Sequence, residues 1–382
     1  MIKNKFIIAT SDPVMLNFFS GQIQILKTKF CVEVVSNSKA GMSSFCKNEN
    51  VIGHVVRTRR EISILSDIRS LLQFIALFFK EKPYVIHGNS PKAGLLSMMS
   101  GWVVRVPVRI YYIHGLRYQG DSGLKRKLLI MIESVACFFA TDLFAAGLGV
   151  KETLIHDKIT TKEINIINNG SINGVDLDYF SRHNLVGIEN IRNAYNVKES
   201  DIIFGFVGRV VRDKGVNELV QSFLEINKSF TNTKLLLVGG YEQSLSPIND
   251  DIKLEIEKNK HIIHVGFQSD IRKFLNIMNF FVFPSYREGL GVSILETSAM
   301  ELPIIATDIV GPNEIITHGY NGILVQPRST EKLTHAMKML LLDDAVCKKI
   351  SKNAREVVLD KYAQKDVWEK TLYAYCNLAD CN

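Results

Sequence analysis

The chain has 382 residues, 46% of them hydrophobic and 22% charged, with a formal net charge of +7. That length exceeds one ordinary core and predicts two domains of about 150–200 residues each, and the composition excludes disorder as a class. The charge is uneven: residues 1–200 hold 25 Lys and Arg against 16 Asp and Glu, the remainder 21 against 23, so the first lobe is expected to meet a phosphorylated substrate or a membrane surface.

The six cysteines (Cys31, Cys46, Cys137, Cys347, Cys376, Cys381) form no C-x-x-C pair and no zinc-spaced Cys/His cluster, the pattern of free thiols in a reducing cytosol. The opening MIKNKFIIATSDP turns polar too soon for a signal peptide. Strand-like runs follow in order: KFIIAT, FCVEVVS, YVIHG, VRIYYIHG, DLFAAG and INIINNG, with helical stretches at Leu65–Glu81 and Lys92–Trp102. The apolar run Leu71–Phe79 is far short of the roughly 20 residues that span a bilayer. LLIMIESVACFFATDLFAAG carries Glu133 and Asp142 and reads as a buried helix followed by a strand. Strands alternating with helices predict an α/β chain with parallel sheets.

Around NNGSINGVDLDYFSRHNLVG the pattern breaks into Asn, Gly and Ser, which marks a linker. The alternation then restarts with DIIFGFVG, a helix from Val216, TKLLLVGG, HIIHVGF, a helix from Asp270, FFVFPS, a helix from Val292, LPIIATD and NGILVQP, and closes with helices from Thr330 onward. The first strand runs into TSDPVML without glycine and the chain has no G-x-G-x-x-G, which argues against a nicotinamide or flavin dinucleotide site.

Two βα junctions of the second half carry chemistry. After FGFVG come Arg209, Arg212 and Lys214, then a helix; cations at the carboxyl end of a strand beside a helix start suit phosphate, although taken alone they read rather as solvated loop cations. After FFVFPS come Glu288, Gly289, Leu290 and Gly291, with Glu296 eight positions beyond Glu288. The glycines let backbone N–H groups approach a ligand, Glu288 suits sugar hydroxyls and Glu296 a ribose diol. Ser293 and Glu296 also have capping-box spacing, a purely structural alternative.

GR…DKG followed by PSYREGLGVSILETSAMELPIIATDIVGPNEII and GYNGILV resembles the donor half of retaining GT-B glycosyltransferases of family 4, with their E-x7-E signature. HGNSPKAGLLSMMSGWVVRVPVRIYYIHGLRYQ and NNGSINGVDLDYF resemble the subgroup that builds bacterial O-antigen, capsule and exopolysaccharide repeats. The resemblance implies a GT-B fold, two Rossmann-like lobes whose parallel sheets face across a cleft: an acceptor lobe over 1–180, a donor lobe over 186–364, and a last helix, 365–382, that packs back on the first. It implies that Arg209 and Lys214 hold a nucleotide diphosphate, Glu288 the donor sugar, Glu296 the ribose and the N–H groups of Gly289, Leu290 and Gly291 sugar and phosphate, with Phe267 and Gln268 near the base. His114 would lie close to the reacting sugar, and Asp12, Asn89, Ser90 and Lys92 would face the acceptor; TSDPVML departs from the Gly-rich loop of many relatives.

The expected reaction is retaining transfer of a hexose or N-acetylhexosamine, from a UDP-linked donor, to a polyprenyl-diphosphate-linked saccharide. No metal or other cofactor is expected, since Arg209 and Lys214 supply the positive charge and Asp176–Asp178 sits in the linker. No nucleic-acid partner is expected. The expected location is the cytoplasm, with peripheral membrane contact through the basic first lobe. A sugar-nucleotide epimerase of the same fold and a non-catalytic nucleotide-sugar-binding assembly partner stay open as alternatives.

Overall fold

The structure, a computed structural model, describes residues 3–58, 63–183, 185–242 and 246–380. It divides into two units, one formed by Met1–Gly174 with Gln364–Asn382 and the other by Val175–Ala363.

In the first unit β1 (Asn4–Ala9), β2 (Phe30–Ser36), β3 (Ile52–Val55), β4 (Val85–Asn89), β5 (Val108–Ile113), β6 (Asp142–Ala145) and β7 (Ile164–Asn165) form a sheet of order β3-β2-β1-β4-β5-β6-β7. All its neighbours pair in parallel. Central parallel strands are covered on both faces, which explains why Phe6–Ala9 and Ile110–Ile113 are continuous apolar runs and fully buried. β3 gave no such signal, because it is a four-residue edge strand that is mostly exposed. The strand expected over INIINNG shrinks to two residues.

The helix Gly123–Phe139 is not buried as expected. It sinks Leu129, Glu133, Ala136 and Cys137 and leaves Leu124, Met131 and Phe138 exposed, Leu124 at 85%. No helix among the described residues is long and apolar enough to cross a membrane. The helix Gln364–Leu378 belongs to the first unit. Its Tyr375 is buried with its ring 5.6 Å from Phe6, 5.3 Å from His87 and 5.8 Å from Phe144, and Trp368 Nε1 donates to Asn173 Oδ1 at 2.6 Å.

The second unit holds β8 (Ile202–Val207), β9 (Thr233–Val238), β10 (Ile262–His264), β11 (Phe280–Phe283), β12 (Ile304–Thr307) and β13 (Ile323–Val325) in the order β10-β9-β8-β11-β12-β13, again parallel. Alternate residues serve opposite faces: Phe204, Phe206, Leu235 and Leu237 enter one core, Ile203, Leu236, Phe281 and Phe283 the other. The helix expected from Asp270 starts at Arg272, because the Asp270 carboxylate accepts from the Arg272 N–H at 3.0 Å and stands outside it.

The strand order reverses between β8 and β11. Ligands of open α/β sheets bind at the carboxyl ends of strands beside such a switch. There the two loops touch backbone to backbone: Gly215 has φ +69°, and a Cβ on it would lie 2.0 Å from the Pro284 carbonyl oxygen. Only glycine fits both the conformation and the space. Gly215→Ala should cost about 2–4 kcal/mol and lower the Tm by roughly 5–15 °C, whereas Gly240→Ala, which meets nothing within 4 Å, should leave the Tm nearly unchanged. Equal melting curves for the two variants would show that the contact is not a constraint.

Candidate active site

The loop after β8 and the loop after β11 bring Lys214 to Glu288, whose Nζ and Oε1 form an ion pair with both side chains largely buried. Lys214 Nζ also lies 5.5 Å from the centre of the Phe283 ring. Arg209, more exposed, is paired with Glu242, a residue that gave no sequence signal. Around them Asp213 accepts from Arg287 at 3.0 Å and from Ser246 Oγ at 2.9 Å, and these contacts hold its carboxyl below the usual range despite burial. The Tyr286 hydroxyl donates to Glu218 at 2.6 Å. Arg209 and Lys214 thus each already carry a carboxylate.

Glu296 stands apart from these pairs. Its helix, Val292–Ala299, begins at Gly291, whose φ of 92° makes it a left-handed N-cap, with no side-chain cap. Ser293 is therefore inside the helix, and the capping box that its spacing suggested does not form. The Glu296 carboxyl instead lines a pocket of about 360 Å³ together with Arg209, Phe267, Gln268, Tyr179 and Phe180, within the range of small-molecule sites. Burial pushes its pKa up to about 7. Gln268 is fixed by a 2.8 Å hydrogen bond to the Val265 carbonyl, while the Phe267 ring is exposed. Leu290 is buried in the core beneath the loop, between Gly289 and Gly291. A larger hollow of about 450 Å³, lined by Arg182, Asn279 and Glu301 among others, opens by the amino ends of β11 and β12, away from the carboxyl ends at which open α/β sheets bind ligands.

In the first unit His114 follows β5. Its Nε2 is 2.9 Å from Asn89 Oδ1, and its ring lies 5.8 Å from Phe18 and 4.9 Å from Tyr112. Burial lowers its pKa to about 4, so the imidazole is neutral at physiological pH. Asn89 was expected to face the acceptor; it is fully buried, with its amide turned inward to His114 and His87. Ser90 has φ 71° and its hydroxyl is 2.9 Å from that of Ser11, Lys92 pairs with Asp67 at 2.8 Å, and Asp12 caps the turn Pro13–Phe19 by accepting from the Val14 N–H at 3.0 Å. In the linker, Asp176 Oδ1 accepts from the N–H groups of Asp178 and Tyr179 at 3.0 and 2.9 Å, so that carboxylate is engaged in a turn.

A sequence profile described as glycosyl transferases group 1 matches residues 187–357. The capsular polysaccharide biosynthesis glycosyltransferase CapM of Staphylococcus aureus is 33% identical over 365 residues, 95% of this chain and 93% of that protein. The UDP-Gal:alpha-D-GlcNAc-diphosphoundecaprenol alpha-1,3-galactosyltransferase of Escherichia coli is 25% identical over 307 residues, 79% of this chain and 78% of that one. Anabaena Alr3699/HepE, solved with UDP and glucose, superposes with a TM-score of 0.81 at 16% identity, covering 98% of this chain and 100% of that one; the shared architecture is the GT-B fold.

The raised Glu296 pKa has a consequence for stability. The folded chain binds this proton more tightly than the unfolded one, whose carboxyl titrates near 4.5. Stability from this group is therefore full below about pH 4.5 and is lost as pH rises through about 7. Glu296→Gln should melt a few degrees higher than the parent at pH 8, roughly 1–2 kcal/mol, with the difference shrinking toward pH 5. A Tm difference independent of pH would refute the raised pKa.

Proposed function

The chain belongs to the group 1 glycosyltransferases, and on that premise we propose that it moves a hexose or N-acetylhexosamine, with retention, from a UDP-linked donor to a polyprenyl-diphosphate-linked saccharide during assembly of a bacterial surface polysaccharide. The observation that carries this reading is the pocket lined by Arg209 and Glu296 at the switch point of the second sheet, supported by the relatives whose names specify a UDP-sugar donor and a diphosphoundecaprenol acceptor or a capsule product.

In this assignment the uridine half occupies the pocket beside Phe267 and Gln268, and Glu296 accepts from the ribose hydroxyls. The diphosphate takes Arg209 and Lys214 from Glu242 and Glu288, so binding exchanges one anion for another and frees Glu288 to accept from the donor sugar. Gly289, Leu290 and Gly291 offer N–H groups at a helix start, which favours the sugar–phosphate end. The bond from C1 of the sugar to the diphosphate breaks, the acceptor hydroxyl bonds to C1 on the same face, and its proton passes to the departing phosphate oxygen. Arg209 and Lys214 stabilise the charge that grows on that oxygen. His114 is assigned to the reacting sugar, and Ser90, Lys92 and Asp12 to the acceptor.

A lipid-linked acceptor implies a membrane surface, and the first unit has a face suited to one. The helix Ile64–Glu81 exposes Leu65, Ile68, Leu72 and Phe79, and the helix Gly123–Phe139 exposes Leu124, Leu128, Met131 and Phe138. Between them packs Pro91–Val103, with Trp102 exposed and its ring 5.2 Å from Phe139. Exposed apolar surface on this scale marks an interaction site, and Arg69, Lys80, Lys125 and Lys127, exposed on the same helices, match an anionic bilayer.

Transfer of labelled sugar from a panel of UDP-sugars to a polyprenyl-diphosphate saccharide tests the enzyme reading. Arg209→Ala and Lys214→Ala should each lower kcat/KM by roughly 10–100-fold; unimpaired turnover in both would remove them from the site. Turnover of a UDP-sugar to a new UDP-sugar without acceptor would instead identify an epimerase. In vesicle sedimentation, the double variant Phe79→Asp with Phe138→Asp should lose binding to phosphatidylglycerol vesicles by at least about tenfold at unchanged Tm. Undiminished binding would exclude this face.

A further inference from the structure

Four buried or half-buried groups of the first unit form one hydrogen-bonded chain that ends at His114. Asn89, the last residue of β4, sits opposite Tyr112 of β5 and reaches two histidines. Its Nδ2 lies 3.2 Å from the main-chain oxygen of His87, which can only accept, and 2.9 Å from Nδ1 of the same residue. The nitrogen end of the amide therefore faces His87, and Oδ1 is the atom 2.9 Å from His114 Nε2. An amide oxygen only accepts, so His114 carries its proton on Nε2 and leaves a lone pair on Nδ1, an atom with no hydrogen-bond partner among the described residues. By the same logic His87 accepts at Nδ1, holds its own proton on Nε2 and donates it to the Tyr375 hydroxyl at 2.7 Å.

The surroundings keep the chain in this state. His87 is completely buried between the Phe6, Phe19, Tyr112 and Tyr375 rings, and no carboxylate is hydrogen-bonded to either imidazole among the described residues. Burial pulls His87 to about 3 and His114 to about 4. A structural histidine pair in an apolar core needs only its buried nitrogens satisfied. Here the polarity of every bond is dictated by one carbonyl, and the unused lone pair is delivered to a half-buried residue.

We propose that Asn89, backed by His87 and Tyr375, is a tautomer lock that holds His114 with Nδ1 unprotonated, so that this nitrogen accepts a hydrogen bond from a hydroxyl of the sugar substrate. The role rests on the assignment of His114 to the reacting sugar. Asn89, His87 and Tyr375 are positioning residues, acting only through His114: the main-chain oxygen of His87 orients the amide, and Tyr375, on the helix Gln364–Leu378, closes the far end of the chain by receiving the His87 proton in a hydrogen bond.

Long-range ¹H–¹⁵N correlation spectra of the full chain labelled at histidine nitrogens, with His114 identified by its loss in His114→Gln, read the tautomer directly. The wild type should show His114 protonated at Nε2 only. Asn89→Leu, which removes both ends of the bridge, should mix the tautomers and lower kcat by about tenfold or more while donor KM moves less than about threefold. Tyr375→Phe leaves Asn89 in place and should keep the tautomer, with kcat reduced about threefold or less. A wild-type His114 protonated at Nδ1, or Asn89→Leu with an unmixed tautomer and full kcat, overturns the lock. Should Asn89→Leu fail to fold, the wild-type and Tyr375→Phe spectra still decide. Full activity in His114→Gln sinks the assignment of His114 to the sugar while the measured tautomer stands, so the two failures are told apart.

Discussion

The contact between Gly215 and the Pro284 carbonyl is the constraint on which the second unit's chemistry depends. It welds the crossover loop of β8 to that of β11 at the one place where the strand order reverses. A methyl group there would push the loops apart, and with them Lys214 from Glu288. Because the contact is made by main chain on both sides, it has no rotamer freedom to absorb an error. A charged pair from residues 74 positions apart in sequence is thus placed by backbone packing.

The ligand-free electrostatics follow from that placement. Two cations gathered at the carboxyl end of a central strand would repel each other and raise the cost of leaving the site empty; Glu242 and Glu288 remove that cost by pairing with them. In the proposed assignment a diphosphate would displace these carboxylates, and selectivity would come from the difference between a carboxylate and a more highly charged, multiply accepting group. Glu296 works in the opposite sense. Burial lifts its pKa to about 7, and in the proposed assignment the ribose hydroxyls would favour its charged form.

What was legible in the sequence was local. Central strands such as Phe6–Ala9 and Phe280–Phe283 announce themselves because burial on both faces demands unbroken apolar runs, and Glu288 and Glu296 share one βα junction, so spacing alone relates them. What was illegible was set by distance or by exposure. The partner of Arg209 lies after a different strand. Nothing local to Tyr375 indicates His87, 288 residues away, and without that bond Asn89 reads as a surface polar residue rather than a buried one. Leu65, Phe79 and Phe138 have the composition of core positions, and only the packing of their helices shows that the opposite faces were used for the core. The capping-box spacing at Ser293 failed for a related reason: the N-cap was already taken by a left-handed glycine.

The return of residues 364–380 to the first unit bears on how the molecule is made. A ribosome releases the chain from the amino end, so Met1–Gly174 emerges while the wall supplied by Tyr375 and Trp368 does not yet exist, and Phe6, His87 and Phe144 lack their neighbour. The residues Val175–Ala363 are contiguous and can close their own core as soon as they are exposed. The segment translated first is therefore the one completed last, and during synthesis its unfinished core, together with the bare apolar helices beside it, is the surface that a chaperone or a bilayer would meet.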